Sequence, residues 1–202
     1  VVGDGEAVAL IEPAEIGGPA EAEAQEIDLD APRADLAEVM ARHAYTLDTN
    51  RPEAVAKRRK TGHRTARENL NDLFDPGSFN EYGALTIAAQ RRRRSVQDLM
   101  EKTPADGLVG GTGTVNAAQF GADAASVVGM SYDYMVLAGT QGHFNHYKTD
   151  RLLNIARDQR LPLVFYCEGG GGRPGDAASG DSRLVLRLQA PSGLLSGRQI
   201  FA

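Results

Sequence analysis

The sequence predicts an α/β domain, and three observations predict it. An apolar run, Leu161-Pro162-Leu163-Val164-Phe165-Tyr166, has the length and composition of a buried strand. It follows a segment, His143 to Arg157, whose apolar spacing is helical, and it ends in Glu168 and four consecutive glycines. Upstream lie two more strand-like stretches, Gly110 to Val115 and Val127 to Met130. Strand, loop, helix, strand and glycine loop make one α/β unit.

The elements are justified in chain order. Residues 1–12 alternate loosely around Val8, Leu10 and Ile11 after a Gly3-Asp4-Gly5 turn, which suggests a short strand. From Pro13 to Ala24 the chain is acidic, small and rich in Pro and Gly, as in a linker. Leu36, Val39, Met40 and Tyr45 share one helical face behind a cap at Asp35. Pro52 opens a second, very basic helix. Thr65-Ala66-Arg67-Glu68 has the spacing of a capping box, and Asp75-Pro76-Gly77-Ser78 that of a turn. The four arginines Arg91 to Arg94 read as a solvated helix face or loop rather than a phosphate site, because no aromatics are interleaved with them. Gly110 to Val115 contains Gly-x-Gly but lacks the third glycine and following helix of a dinucleotide fingerprint. In the helix at 143–157, Phe144, Tyr147, Leu152 and Ile155 are expected to face inward.

Composition narrows the function. Of the 202 residues, 42% are hydrophobic and 24% charged, as in an ordinary globular protein. A net charge of −5 argues against nucleic acid as a partner. The one cysteine, Cys167, permits neither a disulfide framework nor a Cys-rich zinc site, and reads as a buried, inert thiol. No apolar run is long enough to span a bilayer, and no signal-peptide pattern is present, so a cytoplasmic location without a membrane partner is expected. Beginning at Val1, the sequence looks cut from a longer chain. His143 and His146 lack further ligands at metal spacing, so no metal site is expected.

The glycine loop is the strongest chemical signal. Glycine lets a ligand approach the backbone closely, and successive N–H groups can form a concave anion site. For a developing oxyanion the same geometry is an oxyanion hole. A flexible turn or a tight strand–helix junction explains four glycines equally well.

Three stretches, in order, resemble the carboxyltransferase component of biotin-dependent acyl-CoA carboxylases, acetyl- or propionyl-CoA carboxylase type. They are Lys60 to Glu68 with Leu73 to Gly83, then Ala105 to Asn116, then Asp133, Gly139-Thr140-Gln141-Gly142, Lys148, Arg151 and Glu168 to Arg173. Together they span roughly residues 55–176. Gly3-Asp4-Gly5-Glu6 and Ala9-Leu10-Ile11-Glu12-Pro13 are similar to the last strands of a biotin carboxyl carrier domain. The family's biotinylated lysine lies in a Met-Lys-Met context, which does not occur here.

The resemblance implies a crotonase-like (ClpP/crotonase) β-β-α superhelix, represented by its N-terminal half. It divides the chain into 1–13, the end of a carrier domain; 14–35, a linker; and 36–202, a partial N-terminal crotonase-like domain. It implies transfer of a carboxyl group from carboxybiotin to the α-carbon of an acyl-CoA through an enolate. The matching oxyanion donors are the N–H groups of Gly170 and Gly171, with Gly169 and Gly172 as substrate-side neighbours. Lys148 and Arg151 match basic positions that either help the CoA phosphates or form an exposed cationic face. The implied cofactor is biotin on a separate domain or upstream segment. The implied partners are acyl-CoA, biotin carboxyl carrier and biotin carboxylase domains or subunits, and a second carboxyltransferase half. From Ala177 to Ala202 the resemblance lapses, as a reading-frame change or truncation would make it. Two other functions fit the same residues: another crotonase-superfamily acyl-CoA enzyme, and a non-catalytic CoA-binding fragment.

Overall fold

The computed structural model describes residue 28, residues 30–176 and residues 199–201. The chain falls into two compact units, Val1–Ala34 and Asp35–Ala202. The expected carrier remnant, most of the linker, and most of 177–202 lie outside the described residues.

Seven helices and five strands follow in order among the described residues: α1 (Ala34–Ala44), α2 (Pro52–Lys60), α3 (Ala66–Leu73), β1 (Asn80–Glu81), α4 (Val96–Lys102), β2 (Leu108–Thr114), α5 (Ala117–Phe120), α6 (Ala122–Ala125), β3 (Ser126–Tyr132), α7 (His143–Gln159), β4 (Leu163–Tyr166) and β5 (Gln199–Phe201). The strands form one mixed sheet in sequence order. β1, β2 and β3 pair antiparallel, and β3, β4 and β5 parallel. The parallel β3–β4 pair needs a crossover, and α7 supplies it.

Alternation along the strands gives the sheet two apolar faces. Leu108, Val128, Met130, Leu163 and Phe165 pack with Leu152, Ile155 and Ala156 of α7. Val109 and Val127 pack on the opposite face with Ala66 and Leu70 of α3 and with Phe74. Phe74 lies directly on the sheet: a Cβ at Gly113 or Gly129 would come within 2.6 Å of its ring. That contact explains glycines in the middle of strands.

The capping box forms as the spacing predicts. Thr65 Oγ1 accepts from Glu68 N at 3.0 Å, and Glu68 Oε2 accepts from Thr65 N at 2.8 Å. The Asp75–Ser78 turn closes through Ser78 N to Asp75 O at 3.0 Å. Arg91 to Arg94 form a turn whose last two N–H groups donate to Gln90 O.

The structure departs from a simple reading of the sequence at three places. The apolar face of α1 exists, but Leu36, Val39 and Met40 are 48%, 42% and 59% exposed. Periodicity defines a face without saying what covers it. Phe144 and Tyr147 are also exposed, at 41% and 48%. The inward face of α7's first half is polar instead, carrying Asn145, His146, Lys148 and Thr149. Asn145 and Lys148 there meet backbone carbonyls and a buried carboxylate, so polarity rather than apolar spacing marks the inside. Cys167 is exposed, because the sheet ends one residue earlier. Desolvation of its sulfur still raises the thiol's pKa, which favours the thiol over the more nucleophilic thiolate.

Candidate functional site

The glycine loop leaves β4 and runs against a second loop, residues 133–142, that leaves β3. The two meet backbone to backbone at Gly169 and Gly139. A Cβ on Gly169 would overlap Gly139 O, and one on Gly139 would overlap Glu168 O. Only glycine permits this approach. Above it, Gly170 N donates to Ala138 O at 3.0 Å, Gln141 N to Gly171 O at 2.8 Å, and Arg173 N to Gln141 O at 2.8 Å. Among the described residues the N–H groups of Gly171 and Gly172 have no partner. Gly171 has φ +83°, and a Cβ at Gly171 or Gly172 would meet no atom within 4 Å.

Of the expected donor pair, Gly170 gives its N–H to Ala138 O, while the N–H of Gly171 has no partner among the described residues.

Ionic contacts hold both ends of the loop. At the start, Glu168 and Arg58 of α2 form a bidentate pair, with Arg58 Nη1 to Glu168 Oε1 at 2.7 Å. The Arg58 hydrogen bonds hold the Glu168 carboxyl below its ordinary pKa. The guanidinium carbon also sits 5.2 Å from the centroid of the Tyr134 ring, a cation–π contact. At the end, Arg173 pairs with Asp106; their side chains are 2% and 0% exposed. Its Nη2 donates to Thr140 O at 2.7 Å and its Nε to Thr140 Oγ1 at 3.2 Å. Asp106 Oδ2 accepts from Asn145 N at 2.8 Å. Burial raises the Asp106 carboxyl's pKa, against the pull of Arg173. Asp176 lies 3.7 Å from Arg173 and accepts from Gln90 Nε2 and His143 N.

Backbone strain accompanies these contacts. Ala105, Asp106, Leu137 and Ala138 have φ of +54°, +48°, +47° and +55°. Non-glycine residues reach such angles only where surroundings dictate them. Here they present Asp106 to Arg173 and Ala138 O to Gly170.

The two expected cations separate. Lys148 is buried, and its Nζ donates to Ala105 O at 3.0 Å and to Leu108 O. Burial holds this amine down to about pKa 8. Its ammonium is committed to these carbonyls and does not form part of an exposed cationic face. Arg151 is exposed on α7. His146 is buried and its pKa lowered by desolvation and Arg173. Among the described residues no cluster of His, Cys, Asp or Glu could hold a metal ion, and no helix is long and apolar enough to cross a membrane.

Beside the loop, α2 and residues 134–138 enclose a cavity of about 410 Å³, lined by Lys57, Arg58, Thr61, Tyr134, Met135 and Ala138. Sequence reasoning missed the contacts that build this region. Arg58 and Glu168 are 110 residues apart, Arg173 and Asp106 67 apart. Local spacing carries no signal for such pairs.

Known proteins are similar to this chain. The carboxyl transferase domain family matches residues 57–184. Over 121 residues the chain is 35% identical to the methylmalonyl-CoA carboxyltransferase 12S subunit of Propionibacterium freudenreichii subsp. shermanii, covering 59% of this chain and 21% of that protein. Over 152 residues it is 33% identical to the propionyl-CoA carboxylase beta chain of Saccharopolyspora erythraea, covering 75% and 26%. A solved single-chain, multi-domain long-chain acyl-CoA carboxylase superposes with TM-score 0.78 at 58% identity, over 85% of this chain and 17% of that one. The chain thus spans about a fifth to a quarter of the curated relatives it matches. A buttressed glycine loop on an α/β layer and a family match over most of its length lead to one statement: the chain belongs to the carboxyl transferase domain family.

Proposed function

We propose that this chain is part of the carboxyltransferase of a biotin-dependent acyl-CoA carboxylase, and that its glycine loop stabilises the enolate of an acyl-CoA. The observation that carries this reading is the pair of consecutive unpartnered N–H groups, Gly171 and Gly172, on a loop fixed at both ends. Loss of the α-proton places negative charge on the thioester oxygen. Two backbone donors held at that oxygen lower the barrier, on the order of 10²–10³ in rate for each donor. The positive φ of Gly171 suits successive N–H groups that face one concavity. Gly169 and Gly170 hold the loop in place. Glu168 and Arg173 act through it, as positioning residues.

Two adjacent open donors are the minimum that an anionic oxygen would need, and the described residues support the reading no further than that. Carboxybiotin, when bound, supplies the CO2 unit from a carrier on another segment. Family membership favours this reading over a hydratase or isomerase.

The finer assignments belong to the same proposal. The sheet with α3 and α7 on its faces corresponds to the first part of a crotonase-like superhelix. Residues 1–13 end a carrier domain, 14–35 link it, and 36–202 begin the carboxyltransferase. The single-chain, multi-domain neighbour supports such a fusion. The second carboxyltransferase half and the biotin carboxylase are the corresponding partners.

The test compares this chain with one extended to a full carboxyltransferase length, using charged biotin carrier and acetyl- or propionyl-CoA. The short chain is expected to transfer nothing. The extended chain should turn over, and Gly171→Val should lower kcat by on the order of 10²-fold or more. Full turnover by both Gly171→Val and Gly172→Val would remove the loop from the chemistry.

A further inference from the structure

The glycine loop ends in Arg173-Pro174-Gly175-Asp176, with proline second and glycine third, the composition of a tight turn. Gly175 takes φ +92°, and the chain folds back so that Asp176 lies 3.7 Å from Arg173. The Asp176 side chain is buried, at 2% exposed. It meets the start of α7, a 17-residue helix whose N-cap, Gly142, offers no side chain. Asp176 Oδ2 accepts from His143 N at 2.8 Å, and Oδ1 accepts from Gln90 Nε2 at 3.1 Å. The first N–H groups of a helix have no partner within it and favour a negative oxygen. Here that oxygen comes from 33 residues away. Space rules out a local cap: a Cβ at Gly142 would overlap Arg173 Nη1 and Asp176 Oδ2.

The same contact bears on the open donors. Gln141 N donates to Gly171 O, and Arg173 N to Gln141 O, which makes a parallel bridge of Gln141 with Gly172. In such a bridge the middle residue's own N–H faces away from the partner segment. The bridge therefore sets the direction in which Gly172 offers its N–H. The Arg173 side chain fastens the segment before the bridge, at Thr140. Asp176 fastens the segment after it, at His143.

We propose that Asp176 is a positioning residue: by capping α7 from the end of the glycine loop, it holds the Gly171 and Gly172 N–H groups in fixed directions. Its effect on turnover rests on the enolate reading above; its effect on the loop does not. Asp75 provides the contrast. Its carboxylate accepts from Asn116 N and Ala117 N, each at 2.9 Å. That is the same kind of cap, at the end of the β2–β3 pair away from the glycine loop.

The experiment measures backbone order parameters by nuclear magnetic resonance on the 202-residue chain without substrate. In the parent, the Gly171 and Gly172 N–H groups should be rigid, at roughly 0.85, and Asp176→Ala should drop both below about 0.6. Asp176→Asn should stay close to the parent, because its amide oxygen still accepts from His143 N. Asp75→Ala should leave both glycines unchanged. Unchanged order in Asp176→Ala overturns the proposal. An Asn variant as mobile as the Ala variant overturns the cap, since the charge beside Arg173 would then be what holds the loop. Amide exchange in the parent chain decides the matter even where Asp176→Ala does not fold. The His143 and Arg173 N–H groups should open as one unit, and His143 exchanging more than about tenfold faster than Arg173 overturns the clamp. In the extended chain, Asp176→Ala should lower kcat roughly tenfold with KM within about twofold, while Asp75→Ala leaves kcat alone. An unchanged kcat in Asp176→Ala, where Gly171→Val abolishes turnover, overturns the positioning role. Normal turnover by Gly171→Val overturns the enolate reading instead, and the order parameters still decide this one.

Discussion

Gly169 and Gly170 sit against the Ala138–Gly139 backbone, whereas Gly171 and Gly172 would face no atom within 4 Å even if each carried a Cβ. The four are the same residue in one run, yet the first pair serves packing and the second is open. At Gly169 glycine is required because the Gly139 carbonyl occupies the space of a side chain, and at Gly170 a Cβ would press on the Thr140 methyl at 3.0 Å. In the second pair it is required by φ at Gly171 and leaves the backbone exposed to a ligand. A run of identical residues therefore holds two functions, and the neighbouring loop sets the division between them.

The largest expected effect tests what locks the loop's end. Arg173→Met would leave Asp106 buried without its cation, beside Asp176. Breaking a buried pair this way costs about 3–5 kcal/mol. Urea unfolding near pH 7 should show that loss, and acidification should recover part of it as Asp106 takes up a proton. A loss below about 1 kcal/mol would mean that the network is not what holds the loop.

Next comes the floor beneath Arg173, where Lys148 binds the carbonyls of Ala105 and Leu108. Its folded pKa of about 8 is below the ordinary 10.5. Between those values the unfolded chain binds more protons than the folded one, so this group makes stability rise with pH. The slope is at most about 1.4 kcal/mol per pH unit, or roughly 3 kcal/mol across the window. Tyr132 and Cys167 have raised pKa values and oppose it, so the measurement is the difference between the parent and Lys148→Met. Parallel pH curves for the two proteins would contradict the buried, charged amine.

Gly169→Ala should cost about 1–3 kcal/mol, because the methyl group overlaps a backbone carbonyl that cannot swing away. At the other extreme, Gly172→Ala should change stability by less than about 1 kcal/mol, with nothing to strike and an ordinary φ. Thermal melts of the two variants, run together, sharpen the contrast directly. Equal shifts would show that the two halves of the loop are built alike. If Gly172→Ala melts like the parent but lowers turnover in the extended chain, the open half is the functional one.

Local signals carried the framework. The capping box at Thr65–Glu68, the proline that opens α2, the helix from 143 and the strand read at 161–166, which forms over Leu163–Tyr166, were all legible, because each depends on residues a few positions apart. The family was legible too, since three ordered stretches preserved its local pattern. What covers a face was not. Leu36, Val39 and Met40 have core spacing and lie exposed, while the charged Lys148 and Arg58 are buried. Nor was the division of the glycine run, since Gly139 is thirty positions from Gly169 and meets it only after β3, α7 and β4 have packed. The sequence by itself determined the elements, their order and the presence of bare backbone after β4, because spacing and propensity act locally. The tertiary structure alone decided which N–H groups stay open and which charges are paired, because burial and pairing depend on residues that approach only in the folded chain.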